Sequence, residues 1–197
     1  MRLKAHTYKA KDGTRRPLLV FRSGLTLQTG GGPSACFKSL IKAAQVRHVV
    51  NLYAGTFPFH DLIDGERDQA RALGVDYFDL RQHRDLRWRS LVEEEQHFKE
   101  NLPEAQRRVA KLIREQLLRP GGGEPRGNIY FHCAGGMHRS GMLFGVLRRC
   151  VNGDPMAAIE AEYRRHVGYA SDEQPGGYEP LNLRFIREFD CSLITKK

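Results

Sequence analysis

Residues 129–141 read IYFHCAGGMHRSG, and this stretch decides the fold that the sequence predicts. Its first four residues are apolar or aromatic apart from one histidine, which is typical of a buried β-strand. The Gly135-Gly136 pair then favours a tight loop, and a helix is expected from Ser140 to Cys150. A buried strand followed directly by a loop and a helix is characteristic of α/β proteins with a parallel sheet.

The rest of the chain continues this alternation of strands and helices. We expect strands over residues 18–21, 46–53 and 75–80, and helices over residues 35–45, 62–73, 90–118 and 180–189. Pro103 is expected to divide the long helical stretch, and Ser34 to cap a helix after a Gly-Gly-Gly-Pro breaker at 30–33. The first 16 residues are predicted to form a loose arm or an edge hairpin.

The predicted fold class is therefore α/β. We expect a single domain with a central, mostly parallel sheet of four or five strands flanked by helices. The domain is placed at residues 18–190, after an N-terminal arm at 1–17 and before a C-terminal tail at 191–197.

Composition restricts the class of protein further. The chain has 197 residues, of which 40% are hydrophobic and 28% charged, enough for one sizeable core. Its apolar runs are too short for membrane insertion, and no signal-peptide pattern follows the N-terminus, so a cytoplasmic protein is expected. The net charge of +9 suits a polyanionic partner. No nucleic-acid-binding module is recognisable, so we expect that this partner is not a nucleic acid.

The cysteines divide into one with a chemical context and three without. The chain has four, Cys36, Cys133, Cys150 and Cys191, and none of them forms a CxxC pair. A chain of this length has its own core and does not need disulfides for stability. We therefore expect all four to be reduced thiols.

Cys133 is followed after five residues by Arg139, the CX5R pattern. A glycine-rich loop between a strand and a helix can turn backbone N–H groups inward as an anion site, and both the N–H groups and the helix N-terminus favour the thiolate. Arg139 offers a planar fork for two phosphate oxygens, and Ser140 can donate a hydrogen bond to the sulfur. The expected phosphate-binding residues are Ala134, Gly135, Gly136, Met137, His138, Arg139 and Ser140.

Two other interpretations of this segment do not involve anion binding by the loop. Cys133 could be a buried structural cysteine before a glycine turn. His132, Cys133 and His138 could bind zinc, although this set has no paired-ligand spacing and no clear fourth ligand. We expect no metal and no cofactor.

The sequence resembles the cysteine-dependent protein tyrosine and dual-specificity phosphatases. It is most similar to the plant-and-fungal-type atypical dual-specificity phosphatases, which include enzymes that act on inositol pyrophosphates. The resemblance spans about residues 18–190, with an apparent insertion at about 173–183. The matching segments are Phe21-Arg-Ser-Gly24, residues 46–52, Gly74-Val-Asp-Tyr-Phe78, Gly136-Met-His-Arg-Ser-Gly141, Glu162-Tyr-Arg-Arg165, Ser171-Asp172 and residues 184–190.

The resemblance implies a protein tyrosine phosphatase-like fold and a two-step, metal-independent phosphoryl transfer through a cysteinyl phosphate. Cys133 would be the nucleophile, and Arg139 would bind the phosphate. The leaving oxygen would receive a proton from an aspartate on the loop after the strand at 75–80, and we assign this role to Asp85 rather than Asp79. His83 and the substrate itself are the remaining candidates.

The same loop is rich in basic side chains: Arg81, His83, Arg84, Arg87 and Arg89. Together with the resemblance, they suggest a polyphosphorylated inositol as substrate; the alternative is a phosphatase acting on phosphoproteins. A phosphorylated small molecule or a phosphoprotein is thus the expected partner. A rhodanese-like sulfur transferase, an arsenate reductase and a catalytically silent phosphate-binding module are other classes that fit a cysteine in an anion-binding loop.

Overall fold

The centre of the molecule is a five-stranded sheet. The computed structural model describes residues 1–25, 35–55, 59–167 and 179–195. Its strands are β1 (Arg2–Lys9), β2 (Arg15–Gly24), β3 (Val46–Asn51), β4 (Asp76–Asp79) and β5 (Asn128–Cys133). They lie in the order β1-β2-β5-β3-β4, and all neighbours are parallel except β1 and β2. The predicted α/β domain with a mostly parallel sheet is confirmed.

Helices cover both faces of this sheet. They are α1 (Ala35–Ala43), α2 (His60–Ala72), α3 (Glu95–Leu112), α4 (Arg139–Cys150), α5 (Met156–Val167), α6 (Glu179–Glu188) and α7 (Ser192–Thr195). α1 and α2 pack on the face that carries Val49 and Tyr130, and the other five helices pack on the face that carries Val50 and Phe131. β5 is the middle strand and is buried along its whole length, as its composition predicts.

The first residues form an edge hairpin rather than a loose arm. β1 pairs antiparallel with β2, and Leu3 is fully buried against the main core. The domain limits at 18–190 stay a prediction. The expected breaker at 30–33, the Ser34 cap, the Ser171-Asp172 match and residues 173–178 of the expected insertion lie outside the described residues.

The prediction that Pro103 divides the long helix is wrong. α3 runs without interruption past Pro103, which lies on its exposed side, and continues into a wider π-helical segment at Ile113–Leu118. The buried face of α3 carries Phe98, Val109 and Leu112, so both halves are held against the same core. Packing of that face outweighs the single backbone hydrogen bond that a proline removes.

The prediction of four reduced cysteines is also wrong. Cys150, at the end of α4, forms a disulfide with Cys191, which lies between α6 and α7, and their Cα atoms are 5.0 Å apart. Cys36 and Cys133 are free thiols. Because α6 packs on α4, the two cysteines meet despite a sequence separation of 41 residues. Within the described ranges, no helix is long and apolar enough to cross a bilayer.

Candidate active site

Cys133 is the last residue of β5 and opens the glycine-rich loop. Its side chain is only 3% exposed and lies on the same sheet face as Ile129 and Phe131, under the α4 side of the molecule. The Sγ atom lies 3.4 Å from the Ser140 Oγ in the first turn of α4. The structure therefore brings together the cysteine and the hydroxyl group that the sequence pairs.

The loop after Cys133 is held by hydrogen bonds to its carbonyl groups. The carbonyl oxygens of residues 134, 136, 137 and 138 contact, in this order, Leu25 N at 2.8 Å, His166 Nε2 at 3.0 Å, Gly141 N at 3.1 Å and Met142 N at 2.8 Å. In a trans peptide, the next N–H points away from the carbonyl. These four bonds therefore turn the N–H groups of residues 135, 137, 138 and 139 towards the inside of the loop.

This arrangement has the features of an anion-binding nest. No described residue accepts a hydrogen bond from the backbone N–H groups of residues 135–137. The inward N–H groups of residues 135 and 137, for which no described residue is the acceptor, lie next to the N-terminus of α4 and can bind the oxygens of an anion. The seven residues predicted to bind phosphate form this loop and the first two positions of α4, and their role in binding stays a prediction.

Two glycines explain why β2 and the loop can meet so closely. Gly136 has a φ of +73°, and a Cβ at this position would lie 2.3 Å from the backbone N of Gly24. A Cβ at Gly24 would in turn lie 3.0 Å from the carbonyl oxygen of Ala134. The loop therefore packs directly on the Phe21-Arg-Ser-Gly24 segment, and the missing side chain of Gly24 makes this close approach possible.

Arg22 of that segment is held by contacts with other elements of the fold. Its side chain is 5% exposed, pairs with Glu162 of α5, and stacks over the Phe144 ring at 4.4 Å. It therefore ties β2 to α4 and α5 rather than facing a substrate.

Arg139 begins α4 and borders a cavity of about 260 Å³. Arg87, Trp88, Arg89 and Glu93 line the same cavity. Burial lowers the pKa of His138, and the positive charges of Arg89 and Arg139 lower it further. Positive charge is therefore concentrated beside the loop, where a phosphorylated ligand would bind.

His132 faces away from Cys133, because neighbouring residues of a strand point to opposite faces. Its Nε2 atom lies 2.7 Å from the Glu66 Oε1 of α2, and both side chains are fully buried. The Tyr77 hydroxyl donates a 2.9 Å hydrogen bond to the same carboxylate. His132 thus anchors the base of the loop, and among the described residues no cluster of three potential metal ligands occurs.

Asp85, the predicted proton donor, points away from the cavity. Its carboxylate is 61% exposed and lies 3.0 Å from Lys111 Nζ on α3. The hydrogen bond from Lys111 lowers the pKa of Asp85, which favours the form without a proton. To donate a proton at the site, Asp85 would have to leave Lys111.

The other candidates for the proton donor are also engaged. Asp79 is buried and accepts hydrogen bonds from Asn51 at 3.0 Å and from Arg81 at 2.6 Å. His83 is stacked on Phe78, with ring centroids 4.5 Å apart. Sequence reasoning missed Glu93, the carboxylate that lines the cavity beside Arg139 and lies 3.6 Å from Arg89; a run of three glutamates at 93–95 gave no signal to single it out.

Some of the basic side chains in the loop at residues 81–89 are already bound by other groups of the protein. Arg81 is held by Asp79 and Asp64, and Arg87 donates to the backbone carbonyls of residues 80 and 81. Arg84 is exposed, and Arg89 is buried at the cavity. Next to Arg139, the positive charge therefore comes from Arg87 and from Arg89, which pairs with Glu93 at 3.6 Å.

Comparison with solved structures identifies the fold. The chain is similar to the core catalytic domain of the PP-IP phosphatase Siw14 from S. cerevisiae, with a TM-score of 0.56 and 17% sequence identity. The match covers 90% of this chain and 84% of the other, so the two share one fold over nearly their whole length. P. aeruginosa TpbA matches at 16% identity over 98% of this chain and 96% of its own, with a TM-score of 0.47 that supports no conclusion. No protein-family model and no curated protein matches the chain.

Proposed function

We propose that this protein is a metal-independent phosphatase that works through a cysteinyl-phosphate intermediate, with a polyphosphorylated inositol as substrate. Cys133 Sγ attacks phosphorus and displaces the leaving group. The inward N–H groups and Arg139 bind the three equatorial oxygens, where negative charge develops. Ser140 donates to the sulfur when water attacks the intermediate and releases phosphate.

The observation that carries this proposal is the loop itself. Four of its carbonyls are bound on the outside, while Cys133 Sγ lies at its base within 3.4 Å of Ser140 Oγ. A structural cysteine needs neither feature, and the pair Arg139-Ser140 favours phosphate over the substrate of a sulfur transferase. The shared fold with a PP-IP phosphatase agrees with this assignment.

The pairing of the acidic residues supports a substrate with a good leaving group. Asp85 is bound to Lys111 and Asp79 to Arg81, so neither is poised to donate a proton. An inositol hydroxyl leaves poorly without one. A phosphoanhydride instead releases a phosphate, whose second pKa is about 6, so it leaves readily without a proton donor. An inositol pyrophosphate is therefore the substrate whose hydrolysis depends least on a proton from Asp79, Asp85 or Glu93.

A substrate panel tests the proposal. We expect an inositol pyrophosphate to be hydrolysed with a higher kcat/KM than a phosphotyrosine peptide, and the advantage to shrink with ionic strength as salt screens Arg87, Arg89 and Arg139. EDTA should leave turnover unchanged. Cys133→Ser should abolish turnover and retain phosphate binding, because a serine hydroxyl is not ionised here.

The results separate the candidate functions. A peptide preferred at every salt concentration would support the phosphoprotein alternative and reject the inositol substrate. Substantial turnover by Cys133→Ser, or activity lost to EDTA and restored by zinc, would reject the cysteine mechanism. Phosphate binding without turnover of any substrate would identify a silent binding module.

The Cys150–Cys191 disulfide bears on the cellular location. Disulfides persist in oxidising compartments and are rare in the cytosol, so the bond weighs against the expected cytoplasmic location. Subcellular fractionation, with the free thiols of each fraction blocked before lysis, tests this. A cytosolic protein with four free thiols would restore the original expectation.

A further inference from the structure

We propose that His166 is a positioning residue of the phosphate-binding loop. Its Nε2–H holds the Gly136 carbonyl outward, and this orientation makes the Met137 N–H point at a bound phosphate oxygen. The inference rests on the proposed function, since it concerns the same loop. His166 is outside the loop segment, 30 residues along the chain from Gly136.

α5 presents one face to the loop and its support. Ile159, Glu162, Tyr163 and His166 follow the i, i+3, i+4, i+7 spacing of a single helix face. Ile159 and Tyr163 are buried in the core, and Glu162 pairs with Arg22 of β2. These contacts therefore hold α5 in place up to Tyr163, one turn before His166.

Tyr163 brings the contact close to the loop. A Cβ at Gly141, in the first turn of α4, would lie 2.6 Å from the Tyr163 ring, so the ring packs directly on the α4 backbone. The Tyr163 hydroxyl accepts a 2.7 Å hydrogen bond from Asn182 of α6, which holds the ring in place. One turn further on, His166 Nε2 reaches the Gly136 carbonyl oxygen at 3.0 Å.

The bond from His166 differs from the other three that orient the loop. Those three donors are the backbone N–H groups of residues 25, 141 and 142, which every residue type except proline provides. His166 instead donates from its side chain, and the acceptor is the carbonyl of Gly136. The φ of Gly136, +73°, lies in a region that glycine populates as readily as negative φ values. Without this bond, the peptide between Gly136 and Met137 can rotate, which would turn its carbonyl towards the phosphate.

His166→Leu and His166→Gln test this role, because leucine removes the donor and glutamine keeps an N–H of similar reach. His97→Leu is the matched control, since His97 lies on the exposed side of α3. The measurements are kcat/KM with p-nitrophenyl phosphate, the dissociation constant of inorganic phosphate, and the thermal midpoint.

We expect His166→Leu to lower kcat/KM and to weaken phosphate binding in parallel, each by about tenfold. Deletion of one oxyanion donor costs roughly 10²–10³-fold, and here the donor is freed rather than removed. His166→Gln should recover most of both losses, the control should match the wild type, and the thermal midpoint should not change.

Three results would overturn the proposal: wild-type phosphate binding in His166→Leu, no recovery in His166→Gln, or losses that follow a lowered thermal midpoint. Failure of the phosphatase proposal looks different, since the wild type would then bind phosphate without hydrolysing p-nitrophenyl phosphate. The binding measurement would still decide the role of His166. A wild type that neither binds nor hydrolyses rejects both.

Discussion

At the scale of single residues, two carboxylates with different surroundings are candidates for the proton donor. Asp85 is exposed and bound to Lys111, whereas Glu93 lines the cavity that Arg139 borders. A donor must reach the leaving oxygen within hydrogen-bond distance before its protonation state matters. Of the two carboxylates, Glu93 is the one that shares a cavity with Arg139, and we therefore prefer it as the donor.

We expect Glu93→Gln, and not Asp85→Asn, to slow hydrolysis of a phosphate ester with a poor leaving group. Loss of a general acid lowers turnover by roughly 10²–10⁴-fold on such a substrate. p-Nitrophenyl phosphate, whose leaving group barely needs a proton, should be affected little by either variant. Steady-state kinetics on an alkyl phosphate and on p-nitrophenyl phosphate make the comparison.

The same experiment can restore the sequence-based assignment. A large loss in Asp85→Asn confined to the alkyl phosphate would mean that Asp85 leaves Lys111 and closes over Cys133. Equal losses on both substrates would indicate a damaged site rather than a missing proton.

The strand, the loop and the helix of the candidate site could be located from the sequence because their residues are contiguous. Cys133 and Ser140 lie seven positions apart, and the strand, the loop and the helix between them are local structures. The acid could not be chosen this way, since the pairing of Asp85 with Lys111 joins positions 26 apart. The bond from His166 to Gly136 was missed for the same reason.

At the scale of elements, the end of β2 and the loop after Cys133 approach so closely that there is no room for a side chain between them. Gly136 combines a positive φ with a neighbouring backbone 2.3 Å from where a Cβ would be. Gly153, before α5, has a similar φ of +69° and nothing within 4 Å of its Cβ position. The two glycines therefore separate backbone strain from steric contact.

We expect Gly136→Ala to abolish phosphate binding and Gly153→Ala to preserve it. Both substitutions place a Cβ in the left-handed region, at a cost of about 1–2 kcal/mol in the free energy of unfolding. Only Gly136→Ala also forces β2 and the loop apart. Urea unfolding and phosphate titration of both variants test this, and normal phosphate binding by Gly136→Ala would contradict the loop geometry.

α3 shows where local propensity fails as a guide. Pro103 is a helix breaker by its chemistry, yet the helix continues because its apolar stripe is buried on one side and the proline faces solvent on the other. The apolar residues of the stripe recur at helical spacing along the sequence. Which influence prevails depends on the partner of that stripe, and this is known only from the packed structure.

At the scale of the whole molecule, the disulfide joins the helix that follows the phosphate loop to the C-terminal end of the described chain. Cys150 ends α4, and Cys191 precedes α7. A cross-link of this span stabilises a protein mainly by restricting its unfolded state.

We expect Cys191→Ser to lower the free energy of unfolding by roughly 3–4 kcal/mol, the value for a closed loop of this length. A reducing agent should have a similar effect on the wild type and none on the variant. Cys36→Ser, which changes an exposed free thiol, is the control. Urea unfolding with and without reductant measures all three, and equal stability of Cys191→Ser and wild type would mean that the bond adds nothing.

The cross-link also has a consequence for peptide-bond cleavage. A protease that cuts once between Cys150 and Cys191 leaves two fragments that the disulfide still joins. Such a nicked molecule would migrate as an intact chain on a non-reducing gel and as two pieces after reduction. Cys133 lies before this closed segment, and α5 with His166 lies inside it. A nicked molecule could therefore keep every residue of the candidate site while its backbone is no longer continuous.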